Sequence, residues 1–133
     1  MRGLGEILSG PYVLPPLHAV LVNAGIPVPT AAVFAALARQ RAAGEPASID
    51  HDPASLLIEG GDEPTFDPLI DAITKSKNDL EAPALAQFPA VGTALDALRA
   101  IAACRLARMS GSGGTCFGLF DTAGDAAEAA ALF

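Results

Sequence analysis

Residues 108–120, RMSGSGGTCFGLF, gather groups that can do chemistry without carrying charge. Gly111, Gly113, Gly114 and Gly118 are interleaved with the hydroxyls of Ser110, Ser112 and Thr115, between two apolar runs. A glycine inside a regular element costs about 0.5–1 kcal/mol relative to alanine, so a cluster needs a cause. Two causes fit. A tight hairpin needs residues that accept positive φ. An anion-binding nest needs successive backbone N–H groups that a phosphate can approach, with hydroxyls beside them to donate to its oxygens. The stretch is not a P-loop, because no Gly-Lys-Ser/Thr follows. Nor is it the dinucleotide fingerprint, because the next run reads as a strand and not a helix. By themselves these residues leave the turn and the nest both open.

The remaining reactive side chains have plainer readings. Asn78, Asp79 and Glu81 in NDLE come close to a capping box, which accounts for all three without acid–base chemistry. Cys104 and Cys116 fall on two paired strands and read as small buried hydrophobes. One cysteine pair has no zinc-site spacing, and no metal site is expected. His18 and His51 lie in proline-rich or acidic loops and read as solvated. Asp50, Asp52, Glu59, Asp62 and Glu63 form an acidic loop that reads as solvated surface before cation site.

The elements that position these groups come from composition and periodicity. The chain has 133 residues, 51% of them hydrophobic, enough for one domain with a real core. A net charge of −7 argues against nucleic acid or an anionic membrane as partner. No apolar run reaches the length needed to cross a bilayer. Two cysteines are too few for a disulfide framework and fit a reducing cytoplasm. AVLVNAG (19–25) reads as a buried strand. A helix follows from Thr30, its expected N-cap, to Gly44, with Val33, Phe34 and Leu37 on one face. Residues 45–66 read as a long loop. Asp67 is the expected N-cap of the next helix, with Pro68 at N1 and Leu69, Ile70 and Ile73 turned inward. Another helix starts at Asn78 or, given Pro83, nearer that proline. Pro89 opens a further one, with Val91, Leu95, Leu98 and Ala102 on one face. Strands at 104–109 and 115–120 flank the glycines, and Thr122 with Asp125 caps an alanine-rich helix running to the last residue. The order predicts an α+β fold: a ferredoxin-like split βαβ, its antiparallel sheet packed against helices, without the closing strand.

RMSGSGGTCFGLF resembles the third conserved motif of the GHMP kinase superfamily, the glycine loop of its C-terminal domain. GLGEIL (3–8), LPPLHAVLVNAGIPVPTAAVF (14–34) and NDLEAPAL (78–85) extend the likeness in the family's order over nearly the whole chain. They are similar to the bacterial branch acting on a diphosphocytidyl methylerythritol in non-mevalonate isoprenoid synthesis. The resemblance implies that residues 1–133 are a GHMP kinase C-terminal domain, with 1–18 as an entry segment from an N-terminal domain absent here. It implies ATP and Mg2+ as cofactors, a small-molecule substrate and the protein's own N-terminal kinase domain as partner. That domain would supply the ATP-wrapping Pro-x-x-x-Gly-Leu-Gly-Gly-Gly-Ser-Ser motif, the catalytic Asp and a Lys. No catalytic residue is therefore expected in these 133 residues, and alone they are expected to be inactive.

On the same resemblance Ser110, Gly111, Ser112, Gly113, Gly114 and Thr115 shape the phosphate end of a cleft. Gly113→Val is then expected to cut turnover while sparing the melting temperature. PTAAVF resembles the segment lining a cytidine pocket, which gives Phe34 a stacking role with Thr30 beside it. Burial of Phe34 in the core is an equal alternative. A missing final strand leaves an open sheet edge, expected to drive self-association or to be covered by the entry segment. Two other readings stand beside this one: a stand-alone ferredoxin-like binding or regulatory module with an anion-binding turn, and another GHMP kinase of the homoserine or mevalonate type.

Overall fold

In a computed structural model, which describes residues 14–44 and 65–133, three strands form one antiparallel sheet. They are β1 (His18–Asn23), β2 (Leu106–Ser110) and β3 (Thr115–Phe120), in the order β1-β3-β2. β1 and β2 therefore run parallel with β3 inserted between them, the split arrangement expected from the sequence. The acidic loop, His51 and residues 1–13 lie outside the described residues.

Period-2 alternation decides which face is core. Register places Val20, Gly118 and Ala107 side by side across the sheet, and then Val22, Cys116 and Met109. Val20, Val22, Cys116, Met109 and Phe120 join one buried cluster. β1 is half-buried where a fully buried strand was expected: Leu21 points the other way and is 72% exposed. His18 is the first residue of β1, opposite Phe120, and not part of a solvated loop.

Five described helices surround the sheet: α1 (Thr30–Ala42), α2 (Phe66–Lys75), α3 (Glu81–Gln87), α4 (Pro89–Arg99) and α5 (Ala123–Ala130). α4 starts with proline at N1, where the missing N–H costs nothing, and sends Val91, Leu95 and Leu98 fully into the core against β2 and β3. Ala102, expected on that face, lies beyond the helix and is exposed. Pro83 sits in the first turn of α3, so the helix begins nearer the proline, as one of the two readings had it. α2 starts two residues earlier than expected, with Thr65 as N-cap, which moves Asp67 and Pro68 inside the first turn. Thr122 does cap α5: its Oγ1 accepts from the Asp125 N–H at 3.1 Å and donates to Asp125 Oδ2 at 2.6 Å. That helix ends at Ala130, short of the last residue.

Candidate functional site

Ser110 and Thr115 are the last cross-strand pair of the β2–β3 hairpin, which leaves Gly111–Gly114 as a four-residue turn. Gly111, Gly113 and Gly114 have φ of 58°, 119° and 84°. Ser112 is not in the positive-φ region, so the sign changes at each step from Gly111 to Gly113. Alternating φ sign is the backbone pattern found in anion-binding nests. The Gly113 N–H is spent on Ser110 O at 3.3 Å. Among the described residues no acceptor meets the N–H groups of Gly111, Ser112 and Gly114. The glycines form the hairpin turn, and three of its N–H groups have no acceptor among the described residues.

Two other elements fix this turn from one side. Thr30 was expected to cap α1, but the N-cap is Pro29, and Thr30 is the first helical residue. Its Oγ1 lies 2.8 Å from Ser112 Oγ. The contact joins residues 82 positions apart and sets the N-terminus of a 13-residue helix, with its partial positive charge, beside the glycines. At the end of β1 the Ala24 N–H donates to Gly114 O at 2.8 Å, and Asn23 Nδ2 donates to Thr115 Oγ1 at 3.3 Å. Phe34 is one turn along from Thr30 on the same side of α1 and is 52% exposed. Val33 and Ala36 take the buried positions of that helix, so Phe34 does not lie in the core.

From the other side the turn is held by Asn78, whose part the sequence reading missed. Asn78 Nδ2 donates to Gly111 O at 2.8 Å and to Met109 O at 3.1 Å, and its Oδ1 accepts from the Leu80 N–H at 3.1 Å. The side chain of Asn78 thus pairs with the free edge of β2. The capping reading of NDLE fails in detail: the N-cap of α3 is Leu80, without a side-chain cap. Asp79 instead pairs with Arg41 at 2.8 Å, and Glu81 pairs with Arg99 at 3.2 Å while accepting from the Met109 N–H at 3.4 Å. The signal was the NDLE string itself; its target 31 to 33 residues away was not in it.

Gly113 has a second duty. A Cβ there would stand 2.9 Å from Val28 Cγ1, and the backbone is already at positive φ. The expectation that Gly113→Val spares stability is therefore overturned. Gly111 and Gly114 face open space.

Cys116 is buried, and Cys104 lies just before β2, not on it. Burial pushes both thiols above their ordinary pKa, so they stay protonated near neutral pH. Among the described residues no three His, Cys, Asp or Glu side chains come together to hold a metal ion. No described helix is long and apolar enough to cross a membrane.

Behind Asn78 lies an open cleft of about 370 Å³. The end of α2, the α2–α3 connection, α3, Arg99 of α4 and Arg108 of β2 form its walls.

The family model for GHMP kinases C terminal matches residues 54–131. The chain is 44% identical over 130 residues to a 4-diphosphocytidyl-2-C-methyl-D-erythritol kinase of a Jannaschia species, covering 98% of this chain and 42% of the relative. It is 49% identical over 131 residues to a protein of the same name from Methylorubrum extorquens, covering 98% and 43%. A crystal structure of 4-(cytidine 5'-diphospho)-2C-methyl-D-erythritol kinase superposes with a TM-score of 0.68 at 33% identity, over 99% of this chain and 44% of that one. The chain spans less than half the length of these relatives.

Proposed function

The chain belongs to the family of GHMP kinase C-terminal domains, and on that premise we propose that it is the C-terminal part of an ATP-dependent kinase. Its substrate in this reading is 4-diphosphocytidyl-2-C-methyl-D-erythritol, phosphorylated on a hydroxyl in non-mevalonate isoprenoid synthesis. The names of the similar proteins support the substrate. The observation that carries the reading is the 2.8 Å contact between Thr30 and Ser112, which joins a helix N-terminus to a turn with three uncommitted N–H groups.

The chain's own share of the chemistry follows from that cradle. N–H groups of Gly111, Ser112 and Gly114 donate to phosphate oxygens, and the Ser110, Ser112 and Thr115 hydroxyls stand beside them. Donors fixed in place before the reaction stabilise developing charge on a transferred phosphoryl group without reorganising. Phe34, exposed one turn from Thr30, offers a face on which the cytosine ring stacks, worth about 1–3 kcal/mol. In this reading Mg2+ accompanies the ATP phosphates and is held by the rest of the enzyme. The N-terminal kinase domain is likewise assigned the ATP-wrapping motif, the catalytic Asp and the Lys. The whole 1–133 segment is then one domain, entered through residues 1–18. The free thiols support a cytoplasmic setting. β1, an edge strand among the described residues, supports self-association or a cover from the entry segment.

The test is the full-length protein assayed with ATP and the diphosphocytidyl substrate. Turnover is expected, with Phe34→Ala raising KM for that substrate about tenfold or more at little change in kcat. Phosphorylation of homoserine or mevalonate in its place would leave the family standing and remove the substrate. Turnover by residues 1–133 alone would remove the division of labour.

A further inference from the structure

The geometry points to a second anion site, separate from the glycine turn: the cleft behind Asn78 takes a phosphate or diphosphate group. Charge is the first observation. The chain carries a net charge of −7 with only 8 Lys and Arg. Three of them, Lys77, Arg99 and Arg108, line this one cleft, against a single carboxylate, Glu81. Glu81 is already engaged by Arg99 at 3.2 Å and by the Met109 N–H, and Arg99 also pairs with Asp96 at 3.6 Å, which leaves Lys77 and Arg108 as the cleft's cations without a carboxylate among the described residues.

The second observation is what the cations lack. Lys77 makes no hydrogen bond or ion pair among the described residues. Arg108 has no carboxylate partner among them: Nη2 donates to Thr74 O at 3.2 Å and Nη1 to Ser76 Oγ at 3.3 Å. Those bonds stretch the guanidinium across the end of α2 and leave its remaining N–H groups unspent. A guanidinium held by two hydrogen bonds, in one cleft with an exposed ammonium, is the pairing that grips phosphate: one fixed fork and one adaptable point charge. A volume of about 370 Å³ lies in the range of small-molecule sites. Position is the third observation. Asn78 forms part of the cleft wall and also donates to Gly111 O. An anion in the cleft is thus one side chain away from the glycine turn, and any effect on the turn's affinity must be matched by the reverse effect.

Pyrophosphate titrated into isotope-labelled full-length protein, at 150 mM salt with ADP saturating, tests the site through the amide signals of Ser76, Lys77 and Asn78. Saturable shifts are expected. Lys77→Glu, at an exposed residue without partners among the described residues, is expected to weaken the binding at least tenfold, and Lys77→Ala to weaken it less in the same direction. Ser112→Ala, in the glycine turn, is expected to change it less than twofold. The site is overturned if the shifts do not saturate, if neither Lys77 variant weakens binding, or if Ser112→Ala weakens it as much as Lys77→Glu.

Discussion

The two regions on either side of Asn78 are built from opposite materials. The glycine turn presents neutral backbone N–H groups held by positive-φ glycines and by hydrogen bonds from β1, α1 and Asn78. The cleft presents charged side chains carried by helices, a strand and the α2–α3 connection. A cradle of dipoles is accurate but depends on backbone shape, so it fails as a unit. A cleft of cations is forgiving of shape but sensitive to salt and to single charges. The comparison teaches where each kind of mutation should be felt, and four expected outcomes bear on it.

The largest effect belongs to Gly113. Valine there adds overpacking against Val28, about 1–3 kcal/mol, to a strained φ of similar cost. The melting temperature should fall by roughly 10 °C, given about 2–8 °C per kcal/mol, and phosphate binding should go with it. Gly111→Ala meets nothing within 4 Å and sits at φ 58°, where a side chain costs about 1–2 kcal/mol. It should lower the melting temperature by only a few degrees while kcat/KM for ATP in the full-length enzyme falls tenfold or more. Equal melting curves for the two variants would break the picture of a turn braced on Val28.

Asn78 comes next because both regions share it. Asn78→Ala removes two bonds to carbonyls and one to the Leu80 N–H, for an expected loss of about 1–3 kcal/mol by chemical denaturation. Asn78→Asp keeps the acceptor and loses both donors, turning a carboxylate toward two carbonyl oxygens. It should be at least as damaging as alanine at pH 7. A harmless Asn78→Asp would mean that the side chain only turns the α2–α3 connection.

How much of this could be read from the chain depends on whether a feature is local. The α4 face of Val91, Leu95 and Leu98 repeats at helical spacing and was read correctly; so was the Thr122–Asp125 cap, three residues apart. The residue types of the cradle were also visible, because glycine and serine clustering is unusual wherever it occurs. The partners were not. Thr30 was read as a cap because hydroxyls at helix starts usually are, yet its hydroxyl serves Ser112. Asn78 was read the same way and serves Gly111. Phe34 has the spacing of a core residue, but the buried stripe of α1 is narrow, Val33 and Ala36, and leaves Phe34 outside. The cationic cleft draws on four elements, and no period in the sequence joins Lys77 to Arg99 and Arg108.

A smaller effect isolates the link between α1 and the turn. The Thr30–Ser112 bond is exposed, so a double-mutant cycle of Thr30→Val and Ser112→Ala should give a coupling of about 0.5–1.5 kcal/mol in stability. The same cycle should leave pyrophosphate binding in the cleft unchanged. A coupling of zero would mean that the two hydroxyls stand close without bonding, and the helix N-terminus would lose its tie to the turn.

The smallest effect comes from the thiols, which belong to neither region. Cys116 lies in the core beside Met109, with its Sγ 3.7 Å from Val91 O, and Cys104 is partly buried with its Sγ 3.4 Å from Leu106 O. Burial raises both pKa values in the folded state, by disfavouring the thiolate. A raised pKa gives stability that is fully present below the unfolded thiol's pKa and is lost as pH climbs through the folded value. The unfolded value is near 8.5, so stability should be flat around neutrality and decline only on the alkaline side of about pH 8.5. Replacing Cys104 by alanine should flatten part of that decline and leave the pH 7 activity of the full-length enzyme in place. Alkylating reagents at pH 7.5 should modify Cys104 slowly and Cys116 only on unfolding, as a mass-spectrometric time course will show. Rapid modification of Cys116 in the folded protein would open the core beneath the hairpin, and with it the rigid base that the glycine turn needs.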